Sequence, residues 1–297
     1  MAGLSFFRLK HISSIVRLSS SAIQCEKAGG YGDDKIKSKI MVKREYEAMK
    51  KADAVFGPSK MIAEETENII NKKITIIETP FLLKNIQLDY TLFDKTLRNK
   101  KYILFFGSIG LIKGVGTIAN MIYPFLEEHR DCYFVFVGKK LNNQINSLNI
   151  WDYLMKNAAE HGSRIIHFEP LKHELLFPII KNAACVVLPS ITDNFPNTCI
   201  EAMANGKIVI GTQGNGFEQL INHEKSGYLI KVNDHLSLHS IINKIFALNE
   251  RDKAEIEKNA ISRIKLLSPD SIMPQIEEIY QLAIKLNDNK KTTKIYF

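Results

Sequence analysis

The sequence predicts an α/β protein with one complete doubly wound parallel sheet, preceded by about half of another. The chain has 297 residues, enough for two domains at roughly 150 residues each. From Lys101 onward, short apolar runs alternate with stretches of helical periodicity. That alternation is typical of a parallel sheet covered by helices on both faces. Ahead of Lys101 the same alternation is present but shorter.

The larger region carries six predicted strands and eight predicted helices. The strands are predicted at 102–106, 133–137, 164–167, 184–188, 208–210 and 228–230. The helices are predicted at about 114–128, 146–159, 173–182, 198–204, 217–221, 235–248, 252–267 and 272–286. Asp270, directly after Pro269, favours the start of the last helix.

The region ahead of Lys101 predicts a helix at 35–51, a strand at 54–56, a helix at 60–70 and a strand at 74–77. The apolar run 14–18 is a further strand candidate. Residues 1–23 contain three basic residues and no acid, which is also typical of an organellar transit peptide. Because 81–100 lacks periodicity, we expect a partial domain at 1–80, a linker at 81–100, a complete domain at 101–268 and a helix with tail at 269–297.

Composition excludes several classes of protein. Hydrophobic residues make up 45% and charged residues 24%, as in ordinary globular domains. Mean hydropathy is −0.10 and no apolar run approaches the roughly 18 residues of a spanning helix. The net charge of +8 favours anionic partners, or only a lysine-rich surface. The four cysteines include no CxxC pair, so we expect no zinc or disulfide framework and a cytoplasmic protein.

A glycine-containing segment, FGSIGLIKG at 106–114, runs from the end of a strand into a helix. Glycine lets a ligand approach the backbone, and the start of a helix favours an anion. Lys113 adds a positive charge at that point. The segment is neither a Walker A loop, because its lysine precedes the glycine, nor GxGxxG. Taken alone, it fits phosphate binding and close packing equally well.

A second segment, LPSITDNFPNTCIEAMANG at 188–206, follows another buried strand. Asn197 is the predicted N-cap of a short helix that ends at Asn-Gly, 205–206. Asp193 lies in the loop, and Glu201 lies about one turn into the helix. Both carboxylates thus lie outside the carboxyl end of a parallel strand, where open α/β sheets bind ligands. The alternative is that Asp193 caps the loop and Glu201 is a solvated helix residue.

Together, the two segments resemble the family 4 glycosyltransferases of the GT-B fold, and the resemblance covers 51–286. Asp193 and Glu201, with seven residues between them, occupy the two ends of that family's Glu-x7-Glu element. Gly107-Ser108 and Lys113-Gly114 are similar to the Gly-Arg-x4-Lys-Gly loop that holds the donor diphosphate. The segment ADAVFGPS at 52–59 resembles the last strand–helix turn of the family's N-terminal domain, and FEPL at 168–171 lies where the family holds the nucleotide base.

The resemblance implies transfer of a sugar, with retention, from a nucleoside-diphosphate sugar to a saccharide or lipid-linked acceptor in cell-surface polysaccharide or glycolipid synthesis. It implies neither cofactor nor metal. Lys113 would neutralise the diphosphate, Asp193 would face the donor sugar and Glu201 would bind the ribose hydroxyls. The implied catalytic residues are Asp193 and Lys113, and the implied donor-binding residues are Gly107, Ser108, Lys113, Gly114, Glu169, Leu171, Asn194, Phe195, Asn197, Thr198 and Glu201. The last predicted helix would cross back to the N-terminal, acceptor-side domain.

The chain departs from the family pattern in three respects. Ser108 stands where the family has arginine, Asp193 is one methylene shorter than glutamate, and only 80 residues precede the linker. A truncated product, a wrongly assigned start and half of a split enzyme all fit that length. Expected partners are therefore the donor, the acceptor, an anionic membrane surface at the inner face of the cell membrane and a chain that supplies the missing half.

Three alternative functions remain open. One is an inactive nucleotide-sugar-binding module that requires a partner chain. A second is a sugar-nucleotide epimerase, for which no acid/base set is evident. The third is nucleic-acid binding, which the charge allows, but no recognisable module supports it and we expect no such partner. The histidines, among them His11, His167, His173 and His223, show neither triad nor ligand spacing.

Overall fold

The computed structural model describes residues 12–19, 35–83 and 85–292, with side chains for 12–19, 39–83 and 85–288. The transit-peptide interpretation lies mostly outside these residues, as does His11. The chain divides into two compact units. The first consists of the described parts of Met1–Leu82 and Leu267–Phe297, and the second of those of Leu83–Leu266.

The first unit is a small three-layer α/β structure. Its elements ahead of the second unit are β1 (Ile15–Arg17), α1 (Lys35–Lys51), β2 (Ala54–Gly57), α2 (Lys60–Ile70) and β3 (Thr75–Ile76). The three strands are parallel in the order β1-β2-β3, and every residue of β2 is buried. Because side chains alternate along a strand, Val55 packs with Ile62 on one face while Phe56 packs with Ile279 on the other. Ile279 belongs to the helix Pro269–Thr292 at the end of the chain.

The second unit is a doubly wound sheet of six strands. In chain order its elements are α3 (Thr91–Thr96), β4 (Lys101–Phe106), α4 (Val115–Glu128), β5 (Cys132–Val137), β6 (Gln144–Ile145), β7 (Leu148–Asn149), α5 (Ile150–Ala158), β8 (Ile165–Phe168), α6 (His173–Asn182), β9 (Cys185–Val187), α7 (Asn197–Ala204), β10 (Val209–Thr212), α8 (Phe217–Leu220), β11 (Tyr228–Ile230), α9 (His235–Ala247) and α10 (Glu250–Lys265). The strand order of the six-stranded sheet is β11-β10-β9-β4-β5-β8, and every pairing within it is parallel. Strands β6 and β7 form a separate antiparallel pair.

The strand order reverses between β4 and β9, which are direct neighbours. The chain builds outward from β4 through β5 to β8 and then crosses back to add β9, β10 and β11 on the other side. Such a switch point opens a crevice at the carboxyl ends of the strands, where doubly wound sheets bind their ligands. The predicted fold class is therefore confirmed, including the complete parallel sheet. Among the described residues, no helix has the length and apolar character needed to cross a bilayer.

The segment predicted as a linker contains a helix, α3, that the sequence analysis did not predict. Two residues ahead of it, Asp89 accepts hydrogen bonds from the Thr91 amide (2.9 Å) and hydroxyl (2.6 Å) and so forms a turn that leads into the helix. The helix has only six residues, so it is too short to show periodicity, and it is anchored by the buried Phe93.

The helix predicted from residue 146 begins later, at Ile150. Asn146 and Ser147 have positive φ angles of 49° and 63° and form the two-residue turn between β6 and β7. Asn149 then caps α5 by accepting a hydrogen bond from the Trp151 amide at 2.9 Å. The turn and the Asn149 cap thus start the helix later than apolar periodicity indicates.

The prediction that Asn197 is the N-cap of α7 is wrong. Pro196, with extended backbone, is the residue that precedes the helix, and its carbonyl accepts the first helical hydrogen bond from the Ile200 amide at 3.2 Å. Asn197 is thus the first residue inside the helix, and no side chain caps this end.

Candidate functional site

The two segments singled out from the sequence form one assembly at the switch point. They follow β4 and β9, whose register pairs Ile103 with Cys185. The Ile191 amide of the second loop donates a hydrogen bond to the Ile112 carbonyl of the first at 2.7 Å. A Cβ on Gly114, which has a φ of 74°, would lie 1.8 Å from the Pro189 carbonyl oxygen. Only glycine therefore allows this approach of the two loops.

Lys113 and Asp193 meet across this assembly. The lysine Nζ lies 2.5 Å from the aspartate Oδ2 in a salt bridge. The lysine side chain is 37% exposed and the aspartate side chain 14% exposed. The structure thus brings the two predicted catalytic residues together, with the carboxylate of Asp193 directed to the lysine.

The start of α7 lies next to the same loop. The atom nearest to a Cβ built on Gly107 is the Thr198 Cγ2, at 3.6 Å. The first helical hydrogen bond of α7 comes from Ile200, so the backbone N–H groups of 197–199 precede the helical ladder. Together with the helix dipole, such groups favour an anion. A cationic side chain and a helix start are therefore combined at one point.

Glu201 is the second carboxyl group of this assembly. It lies one turn into α7, and its side chain is 19% exposed. Burial raises the pKa of Glu201 above its ordinary value, while His173 lowers it in part. The His173 Nε2 lies 3.5 Å from the Glu201 Oε1. Sequence reasoning missed His173, because it lies 28 positions from Glu201 on a different helix and no spacing rule links the two.

A third loop, at 213–216 after β10, supports the Asp193 loop. The Gly216 amide donates to the Asp193 carbonyl at 2.9 Å. The Thr212 hydroxyl donates to the Ser190 carbonyl at 2.6 Å and accepts from the Asn215 side-chain amide at 2.7 Å. These residues were also missed, although a Gly-Asn-Gly sequence after a buried strand of the same sheet is a signal that could have found them.

The other residues of the predicted donor set differ in exposure. Asn194 and Phe195 are buried at 8% exposure each, within the Asp193 loop. Ser108 and Asn197 are exposed, and Thr198 is half-buried. Glu169 is exposed and Leu171 half-buried, in the connection between β8 and α6. That connection follows the carboxyl end of β8, so it lies at the same edge of the sheet as the other loops.

A possible metal-binding group and a surface cavity lie at the opposite edge of the sheet, and one buried thiol in α7 is unreactive. Among the described side chains, Glu127, Glu160 and His161 form a group that could ligate a metal. They lie where α4 ends and ahead of β8, which is the opposite edge of the sheet. A surface cavity of about 640 Å³, with Lys225 and Arg263 in its lining, also lies at that opposite edge, ahead of β11. Burial raises the pKa of the Cys199 thiol well above its ordinary value, with a further contribution from Asp193, so Cys199 is a poor nucleophile.

Comparison with known proteins gives a consistent result. The model of the family described as glycosyl transferases group 1 matches residues 91–263. An uncharacterized glycosyltransferase of Methanocaldococcus jannaschii is 24% identical over 94% of this chain and 72% of its own length. The UDP-Gal:alpha-D-GlcNAc-diphosphoundecaprenol alpha-1,3-galactosyltransferase of Escherichia coli is 30% identical over 38% of this chain and 28% of its own length.

Solved structures show the same fold. The sucrose-phosphate synthase of Thermosynechococcus elongatus superposes with a TM-score of 0.70 at 18% identity, covering 90% of this chain and 67% of that one. HepE of Anabaena, in complex with UDP and glucose, superposes with a TM-score of 0.69 at 15% identity, covering 90% of this chain and 71% of that one.

Proposed function

Because the chain belongs to the glycosyl transferases group 1 family, we propose that it transfers a sugar from a nucleoside-diphosphate donor to a saccharide or lipid-linked acceptor. The observation that carries this proposal is the position of Lys113. Its ammonium lies on the loop after β4, at the switch point, and that loop contacts the start of α7. This combination of a cation and backbone N–H groups favours the binding of a diphosphate.

The chemistry follows from the charge that develops on the leaving group. The bond between the anomeric carbon and the diphosphate breaks, and the acceptor hydroxyl oxygen bonds to that carbon. Negative charge accumulates on the departing diphosphate oxygens, which take up the hydroxyl proton. Lys113 and the N–H groups of 197–199 stabilise that charge, and such electrostatic stabilisation is usually the largest catalytic contribution. The protein itself supplies the cation, so we propose that no metal is needed.

Asp193 and Glu201 have different roles in this proposal. When the diphosphate binds the ammonium group of Lys113, the Asp193 carboxylate is released from its salt bridge and turns to the donor sugar. Glu201 accepts hydrogen bonds from the ribose hydroxyls, for which a carboxylate is well suited because it is acceptor-only when ionised. Glu169 and Leu171 contact the base, while the buried Asn194 and Phe195 fix the shape of the loop.

The finer assignments rest on the resemblance and on the relatives. We propose family 4 membership and retention of anomeric configuration because the Asp193–Glu201 pair and the Lys113-Gly114 loop resemble the corresponding elements of that family. A uridine nucleotide is the first donor to test, since HepE is described with UDP and glucose. The Escherichia coli relative acts on a diphosphoundecaprenol-linked sugar, which favours a role in cytoplasmic assembly of cell-surface polysaccharide or glycolipid.

Peripheral contact with an anionic membrane is part of the same proposal. Helix α1 presents Lys39, Lys43 and Lys50 on its exposed surface. Ile40 and Met41 on the same helix are 46% and 52% exposed. Lysines combined with exposed apolar side chains are the features that attract a helix to acidic lipid headgroups.

The test is release of nucleoside diphosphate from candidate sugar nucleotides, with lipid-linked and saccharide acceptors. We expect acceptor-dependent release that is lost in Glu201→Ala and Lys113→Ala and retained in His235→Ala, a histidine variant at the start of α9. Donor binding without turnover would instead support a binding module that needs a partner chain. Absence of nucleotide binding would overturn both functions.

A further inference from the structure

We propose that His173 is a positioning residue for the donor nucleotide, holding the Glu201 carboxylate in the orientation that accepts the ribose hydroxyls. This inference rests on the proposed function and adds a residue to it. His173 is the first residue of α6, and Glu201 lies in α7. The histidine Nε2 is 3.5 Å from the glutamate Oε1.

The imidazole is itself held in place. Its ring stacks on Phe177, one turn further along α6, with centroids 4.9 Å apart and an angle of 25° between the planes. Phe177 is 5% exposed and therefore fixed in the core. The ring thus has a buried support on one side and directs a nitrogen to the carboxylate, although the histidine side chain is 51% exposed.

Glu201 needs such support for two reasons. A glutamate side chain has several rotamers, and ordering it on ligand binding costs affinity unless it is ordered beforehand. Burial also favours the neutral form of this carboxyl group, whereas the recognition of two hydroxyls needs the ionised form. An imidazole donor at Oε1 opposes both effects and leaves the other oxygen to the ribose.

The position of His173 also relates it to the base-binding segment. Glu169 and Leu171 lie in the connection between β8 and α6, and His173 follows them as the first residue of α6. One short stretch of chain would therefore contact the base and orient the ribose ligand. The exposure of the side chain means that its replacement removes little packing, so a binding defect is separable from misfolding.

The experiment measures affinity by calorimetry for UDP, GDP and ADP, and then for the 2′,3′-dideoxy analogue of the tightest ligand. We expect His173→Ala to weaken binding of the ribonucleotide about fivefold, the upper end for a partly exposed contact to a carboxylate, and to leave binding of the dideoxy analogue unchanged. His173→Gln should recover most of the loss, because its amide can donate to the carboxylate. The matched control is His235→Ala, which replaces a histidine at the same position of another helix.

Turnover adds a second readout: the donor KM should rise in His173→Ala while kcat stays unchanged. If His173→Ala weakens binding of the ribonucleotide and of its dideoxy analogue equally, or weakens neither, the positioning role is overturned and the proposed function still stands. A wild-type protein that binds the dideoxy analogue as tightly as the ribonucleotide would instead overturn the contact between Glu201 and ribose, and the positioning role with it. A wild-type protein that binds none of the three diphosphates would overturn the proposed function together with the inference.

Discussion

Because Lys113 and Asp193 form a salt bridge, we expect substitutions of the two residues to have opposite effects on nucleoside diphosphate binding. In the structure, Asp193 forms a salt bridge with the lysine that we propose as the ligand of the donor diphosphate. A bound diphosphate must therefore displace the carboxylate or share the lysine with it. Lys113→Ala should weaken nucleoside diphosphate binding, whereas Asp193→Asn should strengthen it and still abolish transfer.

The size of each effect follows from the geometry. A phosphate oxygen about 2.8 Å from the Nζ would lie about 5 Å from the Asp193 carboxylate, because the salt bridge is 2.5 Å long. At that separation two unit charges repel by about 0.8 to 3 kcal/mol for effective dielectric constants of about 80 and 20. If the carboxylate is displaced instead, this repulsion is relieved, but breaking the partly exposed salt bridge costs up to about 1 kcal/mol. The complex adopts the less costly arrangement, so Asp193→Asn should remove about 1 kcal/mol and raise the affinity about fivefold.

Lys113→Ala removes a charge-assisted contact worth about 1.5–3 kcal/mol. Its affinity for UDP should therefore fall at least tenfold, to a value near that for UMP. Calorimetry with both nucleotides on the wild type, the two single variants and the double variant measures each contribution and their coupling. If Asp193→Asn weakens UDP binding as much as Lys113→Ala does, the aspartate is a direct ligand of the donor nucleotide and the displacement argument is wrong.

Three further predictions concern single positions. Gly114→Ala should lower the free energy of unfolding by more than about 3 kcal/mol because the new Cβ would clash with Pro189. Gly214 has the same φ of 74° but open space around it, so Gly214→Ala should lower the free energy of unfolding by only about 1 kcal/mol. Equal losses in denaturant titrations would refute the close approach of the loops. Glu201→Gln should raise the melting temperature at pH 7, because burial raises the pKa of Glu201 above 4.5 and ionisation therefore costs stability above that pH; the gain should vanish below pH 4.5, and a gain independent of pH would contradict this cause. Ser108→Arg, at an exposed position beside the proposed diphosphate site, should raise affinity for UDP by about tenfold; unchanged affinity in calorimetry would place the diphosphate away from this loop.

The parallel sheet and both principal loops could be predicted because their signals are local. Strands such as β4 and β5 are continuous apolar runs, as expected for strands buried on both faces. Each is followed by glycine, which marks where the chain leaves the sheet. The meeting of Lys113 and Asp193 also follows from topology, because both loops leave the carboxyl ends of parallel strands.

The features that were missed depend on side-chain hydrogen bonds or on packing between helices. Two of these features are the turn at Asn146 and Ser147 and the turn that Asp89 forms ahead of α3. Each involves only a few residues, so neither produces a periodic pattern in the sequence. The pairing of His173 with Glu201 depends on how α6 and α7 lie on the sheet, which no sequence spacing encodes. The third loop also follows a predicted strand, so its position at this edge of the sheet could have been predicted. Its contact with Asp193 could not, because it is made by backbone atoms.

The central claim is that the loop at 107–114 and the start of α7 hold a nucleoside diphosphate. A crystal structure with bound UDP tests it most directly. We expect the diphosphate between Lys113 and the N–H groups of 197–199, the ribose hydroxyls on Glu201, and Asp193 separated from Lys113. A diphosphate bound elsewhere, for example in the cavity lined by Lys225 and Arg263, with the salt bridge of Lys113 intact, would contradict it.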